Sequence, residues 1–378
     1  MKTKAVRLYG KNDLRLEEFE LSPLKDDEIR AKVISDSLCM SSYKAAVQGP
    51  LHKRVPDDVA NNPIILGHEF SGEILEVGAK WKQSFKAGDT FSIQPAHFYK
   101  GSLSAPGYSY RDCGGNATVV NIPMEIMEMG CLFAYESPTY FTGSLAEPVS
   151  CIVGTFKAMY HTKAGSYEHE MGIVKGGKLA LLAGVGPMGL GAIDYALHTE
   201  RKPSLLVVTD INDERLNRAK ELYSIEHAAK LGVKLVYLNT AKTQDPVKAL
   251  MELTDNTGYN DVIVFAPVRQ VVEQADAILG YDGCLNFFAG PSNADFKAEL
   301  NFYNVHYAYH HIVGTTGGNN SDMAEAIALM NEGRLNPAAM ITHIGGLDCV
   351  IDTTLNLPNI PGGKKLIYTQ ISLELTAI

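Results

Sequence analysis

The chain has 378 residues and a formal net charge of −9, a length that suits two hydrophobic cores better than one. Its charges are interspersed and no Lys/Arg block stands out, which argues against nucleic acid as a partner. The six cysteines are scattered with no CxxC pair, so no disulfide framework is expected and a reducing cytoplasm is the expected location. The opening MKTKAVRLYGKNDLRLEEF lacks the apolar stretch of a signal peptide. The most apolar segment, 179–197, is interrupted by glycines and Asp194, which predicts no membrane span.

Residues 1–151 carry short strand-like runs punctuated by Gly and Pro, among them Glu28–Ile34, Phe70–Val77 and Ala117–Ile122. Helical periodicity is scarce there, which predicts a mainly β domain. From about residue 152 the rhythm changes. Leu179–Ala183, Leu205–Thr209, Lys234–Leu238, Asp261–Phe265 and Cys284–Ala289 are apolar runs without clean alternation, as strands buried on both faces require. Helical candidates lie between them at 187–199, 212–231, 245–256 and 269–279. This succession predicts a parallel, doubly wound sheet over 152–313. In the remainder, 314–378, Ser321–Asn331 reads as a helix and Lys364–Thr369 as a last strand that rejoins the first domain. The expected architecture is α/β, with a dinucleotide-binding domain inserted into a discontinuous, β-rich one.

The turn LALLAGVGPMGLG at 179–191 carries the most chemistry. An apolar run enters a glycine cluster, Gly184, Gly186 and Gly189, and continues through Pro187 and Met188 into an amphipathic helix. The first glycine is expected to permit a tight turn and the second to let the backbone approach a pyrophosphate. The third is expected to allow close packing of helix on strand. Free N–H groups and the helix dipole favour phosphate at such a terminus. Asp210, at the end of the next apolar run, is placed to accept the ribose hydroxyls of NAD, and it would repel a 2′-phosphate. Arg215, one helical turn further on, leaves NADP(H) open as a second cofactor.

Three short motifs precede that turn: Cys39–Met40–Ser41–Ser42, Gly67–His68–Glu69 and Ala146–Glu147–Pro148. Thiolate, imidazole and carboxylate are zinc ligands, and a catalytic zinc keeps one position open for water or substrate. In this order, followed by the dinucleotide turn, the motifs resemble the zinc-dependent medium-chain dehydrogenase/reductase superfamily. The resemblance covers nearly the whole chain. It implies a Rossmann domain inserted into a discontinuous, mainly β GroES-like catalytic domain, and hydride transfer between NAD(H) and a carbon bearing oxygen. It further implies that Cys39 and His68 bind one catalytic Zn²⁺, with Glu69 or Glu147 as third ligand. Ser41 is implied as the first relay hydroxyl on the substrate oxygen, and Lys44 as the end of that relay. Relatives carry an Asp where this chain has Ser42, which leaves the partner that orients His68 open. The lobe Pro95–Asn116 contains only Cys113, so a structural zinc is not expected.

The segments DSLCMSSYKAA, PIILGHEFSGEILEVG, GSLAEPVSC, DGCLNFFAGP, LNFYNVHY and TTLNLPNIPGGKKLIYT narrow the resemblance to ketose-phosphate reductases within that superfamily. They imply reduction of L-sorbose 1-phosphate to D-glucitol 6-phosphate, with a free polyol such as sorbitol as the alternative substrate. They also imply a homodimer or homotetramer. Phosphate recognition relies on Arg and Lys donors, and Lys44, Lys53 and Arg54 are candidates, although an LHKR turn is equally consistent with simple solvation. His306, His310 and His311 match no closed zinc pattern and are expected to pack among the neighbouring tyrosines.

Overall fold

Strands that are apolar along their whole length belong in the middle of an α/β sandwich, and the residues after Cys151 behave this way. The computed structural model describes every residue from Met1 to Ile378. Close packing divides the chain into two units. One comprises Met1–Ser150, Gly318–Gly333 and Met340–Ile378, and the other Cys151–Gly317 with Arg334–Ala339. The segment from 314 onward therefore does not return to the first unit in one piece, because 334–339 packs with the second. No helix is long and apolar enough to cross a membrane.

The second unit is a six-stranded sheet in which every neighbouring pair is parallel. Across it run Lys234–Asn239, Leu205–Asp210, Lys178–Leu182, Tyr259–Val264, Leu279–Phe287 and His311–Gly314. Chain order reverses beside Lys178–Leu182, the switch point at which such sheets bind ligands. Leu205–Asp210 is buried at all its positions, which accounts for its unbroken apolar character. Its side chains join a core with Ala180, Leu182, Val262, Val264 and Leu285. The helix expected over 212–231 is two, Asp213–Leu222 and Ile225–Lys230. The second begins at Ser224, whose hydroxyl accepts the His227 backbone N–H at 3.1 Å and caps a new helix.

In the first unit, Ile29–Leu38 is the hub of an eight-stranded sheet. It pairs antiparallel with Phe70–Val77, Val119–Ile122 and Lys364–Tyr368. Asp36 lies opposite both Phe70 and Ile367, so the end of the hub strand meets the starts of its two neighbours. The scarcity of helix expected here needs correction. Tyr140–Ala158 is a helix of 19 residues, of which the part up to Ser150 belongs to this unit, and its side chains are buried without a break from Gly143 to Val153. A helix buried all round shows no polar stripe, so periodicity does not reveal it.

Candidate functional site

Two strand ends deliver the metal-ligating side chains. Cys39 follows the hub strand directly and precedes the helix Met40–Gln48. His68 and Glu69 immediately precede Phe70–Val77. Thiol, imidazole and carboxylate ligand atoms of Cys39, His68 and Glu69 all lie within 4.8 Å of one another. Glu147, on the helix Tyr140–Ala158, is buried outside this group of three. Its charge nonetheless acts on both His68 and Lys364.

The donor set fits zinc in type and in protonation. Burial, followed by repulsion from Glu69, pushes the Cys39 thiol up to about 11. A thiol in that position keeps its proton until a cation replaces it, which is how metal binding releases protons. Burial lowers the proton affinity of His68, so its imidazole is neutral and able to ligate. Burial opposes ionisation of Glu69, but Lys364 overrides it and holds the carboxyl below its ordinary range.

Lys364 opens the last long strand, and its ammonium donates to both Glu69 oxygens, at 2.5 and 2.6 Å. The pair is deeply buried, with side chains 5% and 1% exposed. Asp36 lies on the hub strand beside it. Burial and the Glu69 charge raise its carboxyl well above the usual range, against the opposing pull of Asn116, whose Nδ2 donates to one oxygen at 2.6 Å. Neither Lys364 nor Asp36 carries a motif. The signal for Lys364 is a pair of lysines, Lys364 and Lys365, heading an otherwise apolar strand, since a buried ammonium demands a partner.

Two hydroxyls orient His68. Ser42 Oγ is 3.3 Å from Nδ1, and the Tyr108 phenol lies 3.1 Å from Nδ1 and 3.3 Å from Nε2. Ser42 thus stands where the imidazole needs support, and Tyr108, from the lobe Pro95–Asn116, shares the task. That lobe reaches the site through Gly107, where a Cβ would sit 2.1 Å from the Gly67 carbonyl oxygen. Ser41 Oγ lies 3.0 Å from Cys39 Sγ and 3.5 Å from His68 Nε2. Lys44 is half-buried, which lowers its proton affinity. Beyond Tyr108, the His52 ring stacks on the phenol at 5.5 Å and 9°, and Arg54 Cζ lies 5.9 Å from the same ring. Lys53 between them is exposed.

In the second unit the glycine turn divides its work differently from the expected scheme. The positive φ falls on Ala183 (φ 53), not on Gly184. A Cβ on Gly186 would meet nothing within 4 Å, leaving its backbone open to a ligand, whereas a Cβ on Gly189 would lie 2.2 Å from the Gly184 carbonyl oxygen. Pro187 is the first residue of the helix Pro187–His198, a position where its missing N–H costs nothing, and Met188 follows half-buried. Asp210 is buried, and its Oδ1 accepts backbone N–H groups of Ile211 and Asn212 at 2.9 and 3.0 Å. Arg215 is exposed, its backbone N–H held by the capping Asn212 Oδ1 at 3.0 Å. The three late histidines diverge. His306 sits on the short helix Phe302–Tyr307, His310 faces Asp276 at 3.8 Å, and His311 Nε2 meets Asp282 Oδ1 at 2.7 Å.

Comparison with known families matches residues 25–149 to the alcohol dehydrogenase GroES-like domain and 187–332 to the zinc-binding dehydrogenase domain. This chain belongs to the zinc-dependent medium-chain dehydrogenase family. It is an oxidoreductase of the zinc alcohol dehydrogenase type, with a Rossmann sheet and a GroES-like β domain. Over 376 residues it is 53% identical to mannitol-1-phosphate 5-dehydrogenase of Aliivibrio fischeri, covering 100% of this chain and 89% of the relative. It is 50% identical over 376 residues to L-sorbose 1-phosphate reductase of Klebsiella pneumoniae, covering 100% and 90%. The crystal structure of 2R,3R-butanediol dehydrogenase from Bacillus subtilis superposes with a TM-score of 0.78 at 22% identity, covering 97% of this chain and 99% of that one.

Proposed function

We propose that this chain is an NAD(H)-linked sugar-phosphate reductase that converts L-sorbose 1-phosphate to D-glucitol 6-phosphate, with one zinc per chain. The observation that carries the reading is the Cys39–His68–Glu69 group, with His68 and Glu69 buried and Cys39 partly exposed, in a chain half identical, from end to end, to L-sorbose 1-phosphate reductase. Cys39, His68 and Glu69 hold the metal, with Glu147 beside it. When bound, zinc supplies a Lewis acid for the substrate oxygen and NAD(H) supplies or accepts the hydride.

The chain's own groups move the proton. Ser41, 3.0 Å from the Cys39 sulfur, donates its hydroxyl proton to the substrate oxygen during reduction and accepts one during oxidation. Lys44 replenishes it, and its half-burial eases release of that proton. Ser42 and Tyr108 keep the His68 ring fixed throughout. Gly184, Gly186, Pro187, Met188 and Gly189 form the pyrophosphate turn. Asp210 takes the ribose hydroxyls with the oxygen its own loop does not use, which favours NAD over NADP. Arg215, exposed one helical turn further on, keeps NADP(H) as a second cofactor.

The A. fischeri relative supports a second reading, oxidation of a hexitol 1-phosphate at carbon 5. The two readings place the phosphate differently, beside the reacting carbon in the first and four carbons away in the second. NADH oxidation by zinc-loaded protein with L-sorbose 1-phosphate, fructose 6-phosphate and free L-sorbose separates them. The first reading requires the highest kcat/KM on L-sorbose 1-phosphate and the second on fructose 6-phosphate, and an efficiency on free L-sorbose equal to that on either phosphate sinks both. Metal analysis of the same sample tests the single zinc, and light scattering tests the expected homodimer or homotetramer.

A further inference from the structure

We propose that His52 and Arg54, mounted on the ring of Tyr108, are the groups that recognise the phosphate of the substrate. The inference rests on the reading of this chain as a sugar-phosphate reductase and assigns the part of the site that would make it one.

Placement comes first. The Tyr108 phenol is 3.1 Å from His68 Nδ1. The same ring carries His52 stacked at 5.5 Å and the Arg54 guanidinium carbon at 5.9 Å. One aromatic ring therefore separates the candidate metal ligand from a pair of cationic or N–H-bearing side chains. A substrate whose oxygen is held at the metal centre would carry its phosphate a few bonds away, within reach of that pair.

The pair is also held in advance of any ligand. Ser109 Oγ donates to the Arg54 carbonyl oxygen at 2.6 Å, and Arg54 Nη1 donates to the Leu103 carbonyl oxygen at 2.8 Å. The Arg54 backbone N–H donates to His52 Nδ1 at 3.3 Å. Since that nitrogen accepts, the neutral ring carries its proton on Nε2 and presents it as a donor. Ordering of this kind removes an entropic cost that binding would otherwise carry.

The chemistry selects an anion. Arg54 forms no ion pair with a carboxylate, and only one of its five N–H groups is engaged by the Leu103 carbonyl. Lys44, Lys53 and Arg54 all act electrostatically on His52, so the locality is positive although the protein as a whole is acidic. A planar guanidinium beside an N–H donor suits a phosphate, whose several oxygens accept charge-assisted bonds. Lys53, between the two in sequence, is exposed, and its position on the outside of the turn gives it no part in the pair.

The test compares wild-type protein with Arg54→Gln, Arg54→Lys, His52→Gln and Lys53→Gln. KM and kcat are measured on L-sorbose 1-phosphate and L-sorbose, and inorganic phosphate is titrated calorimetrically against each protein. Arg54→Gln is expected to raise KM for the phosphorylated ketose roughly ten- to hundredfold with little change in kcat, to reduce its preference over the free ketose by the same factor, and to weaken phosphate binding. Arg54→Lys, which keeps the charge and loses the fork, is expected to fall between, and it also serves if the glutamine variant does not fold. His52→Gln is expected to show a smaller loss in the same direction. Lys53→Gln is expected to stay within about twofold of wild type, as exposed charges do. A wild type that prefers the phosphorylated ketose, together with Arg54 variants that keep this preference and bind phosphate unchanged, overturns the inference and leaves the reductase reading standing. So does a Lys53→Gln loss equal to that of Arg54→Gln. A wild type with no preference for the phosphorylated sugar overturns the reading and the inference together.

Discussion

The metal-ligating group and the glycine turn are built from opposite materials. The first is made of buried, ionisable side chains gathered from distant stretches, with Glu69 and Lys364 lying 295 positions apart. The second is a contiguous run of backbone in which the decisive feature is the absence of a side chain. One arrangement depends on electrostatic compensation and the other on steric clearance. They should therefore fail in different ways, and substitutions can separate those failures.

The largest effect is expected at Cys39. Cys39→Ser should cost turnover roughly a thousandfold or more, the several kcal/mol of charge stabilisation a metal supplies, and zinc content should fall with it. NADH binding, followed by fluorescence, should stay near wild type, because the turn lies in the other unit. If cofactor affinity collapses too, the two regions do not act independently.

Next comes Lys364→Met, which in the metal-free protein leaves the buried Glu69 carboxylate without its cation. The expected loss is about 3–5 kcal/mol of stability, read from urea unfolding. Adding Glu69→Gln should recover part of it, since no charge then remains to compensate. Additive losses would contradict the pairing.

Within the turn, two glycines are expected to break differently. Gly189→Ala forces a methyl to within 2.2 Å of a carbonyl oxygen and should destabilise the protein by about 1–3 kcal/mol, as overpacking does. Gly186→Ala places its methyl in open space. It should leave the melting temperature unchanged while weakening NADH binding roughly tenfold or more, because the methyl stands where the pyrophosphate would otherwise reach the backbone N–H groups. A Gly186→Ala protein that binds NADH normally would remove that residue from the cofactor site.

The smallest effect is expected at Ser42. Ser42→Ala removes one of two hydroxyls on His68 Nδ1 and should lower zinc affinity roughly tenfold in a chelator competition, the lower end for a group that supports a ligand. Tyr108→Phe should act similarly, and the double variant should lose more than either alone.

The same contrast decides what can be read from sequence. Lys178–Leu182 and Leu205–Asp210 are visible because burial on both faces writes an unbroken apolar run, and the glycine turn is visible because its parts are consecutive. Cys39, His68 and Glu69 are visible through short motifs at two strand boundaries. Tyr108, Asp36 and Lys364 are not, because their role exists only after the hub strand Ile29–Leu38 has brought its neighbours together. The helix Tyr140–Ala158 is hidden for another reason, since a fully buried helix shows no period against a polar face. The break at Ser224 is a matter of a single hydroxyl bond, too local for hydrophobic periodicity to register. Likewise, the positive φ at Ala183 shows that the strained position of a glycine turn need not be occupied by one of its glycines.

The position of Lys364 also fixes an order of assembly during synthesis. The second unit draws on residues 151–317 and 334–339, whereas the first needs 340–378 as well. As the chain leaves the ribosome, the unit that begins later in sequence is complete earlier, consistent with domains folding as units. Until Lys364 emerges and docks, Glu69 has no ammonium to meet and the strand that seals the sheet is missing. The nascent protein therefore has everything required for the dinucleotide fold before it can close the metal-ligating pocket, and oxidoreductase competence waits for Lys364.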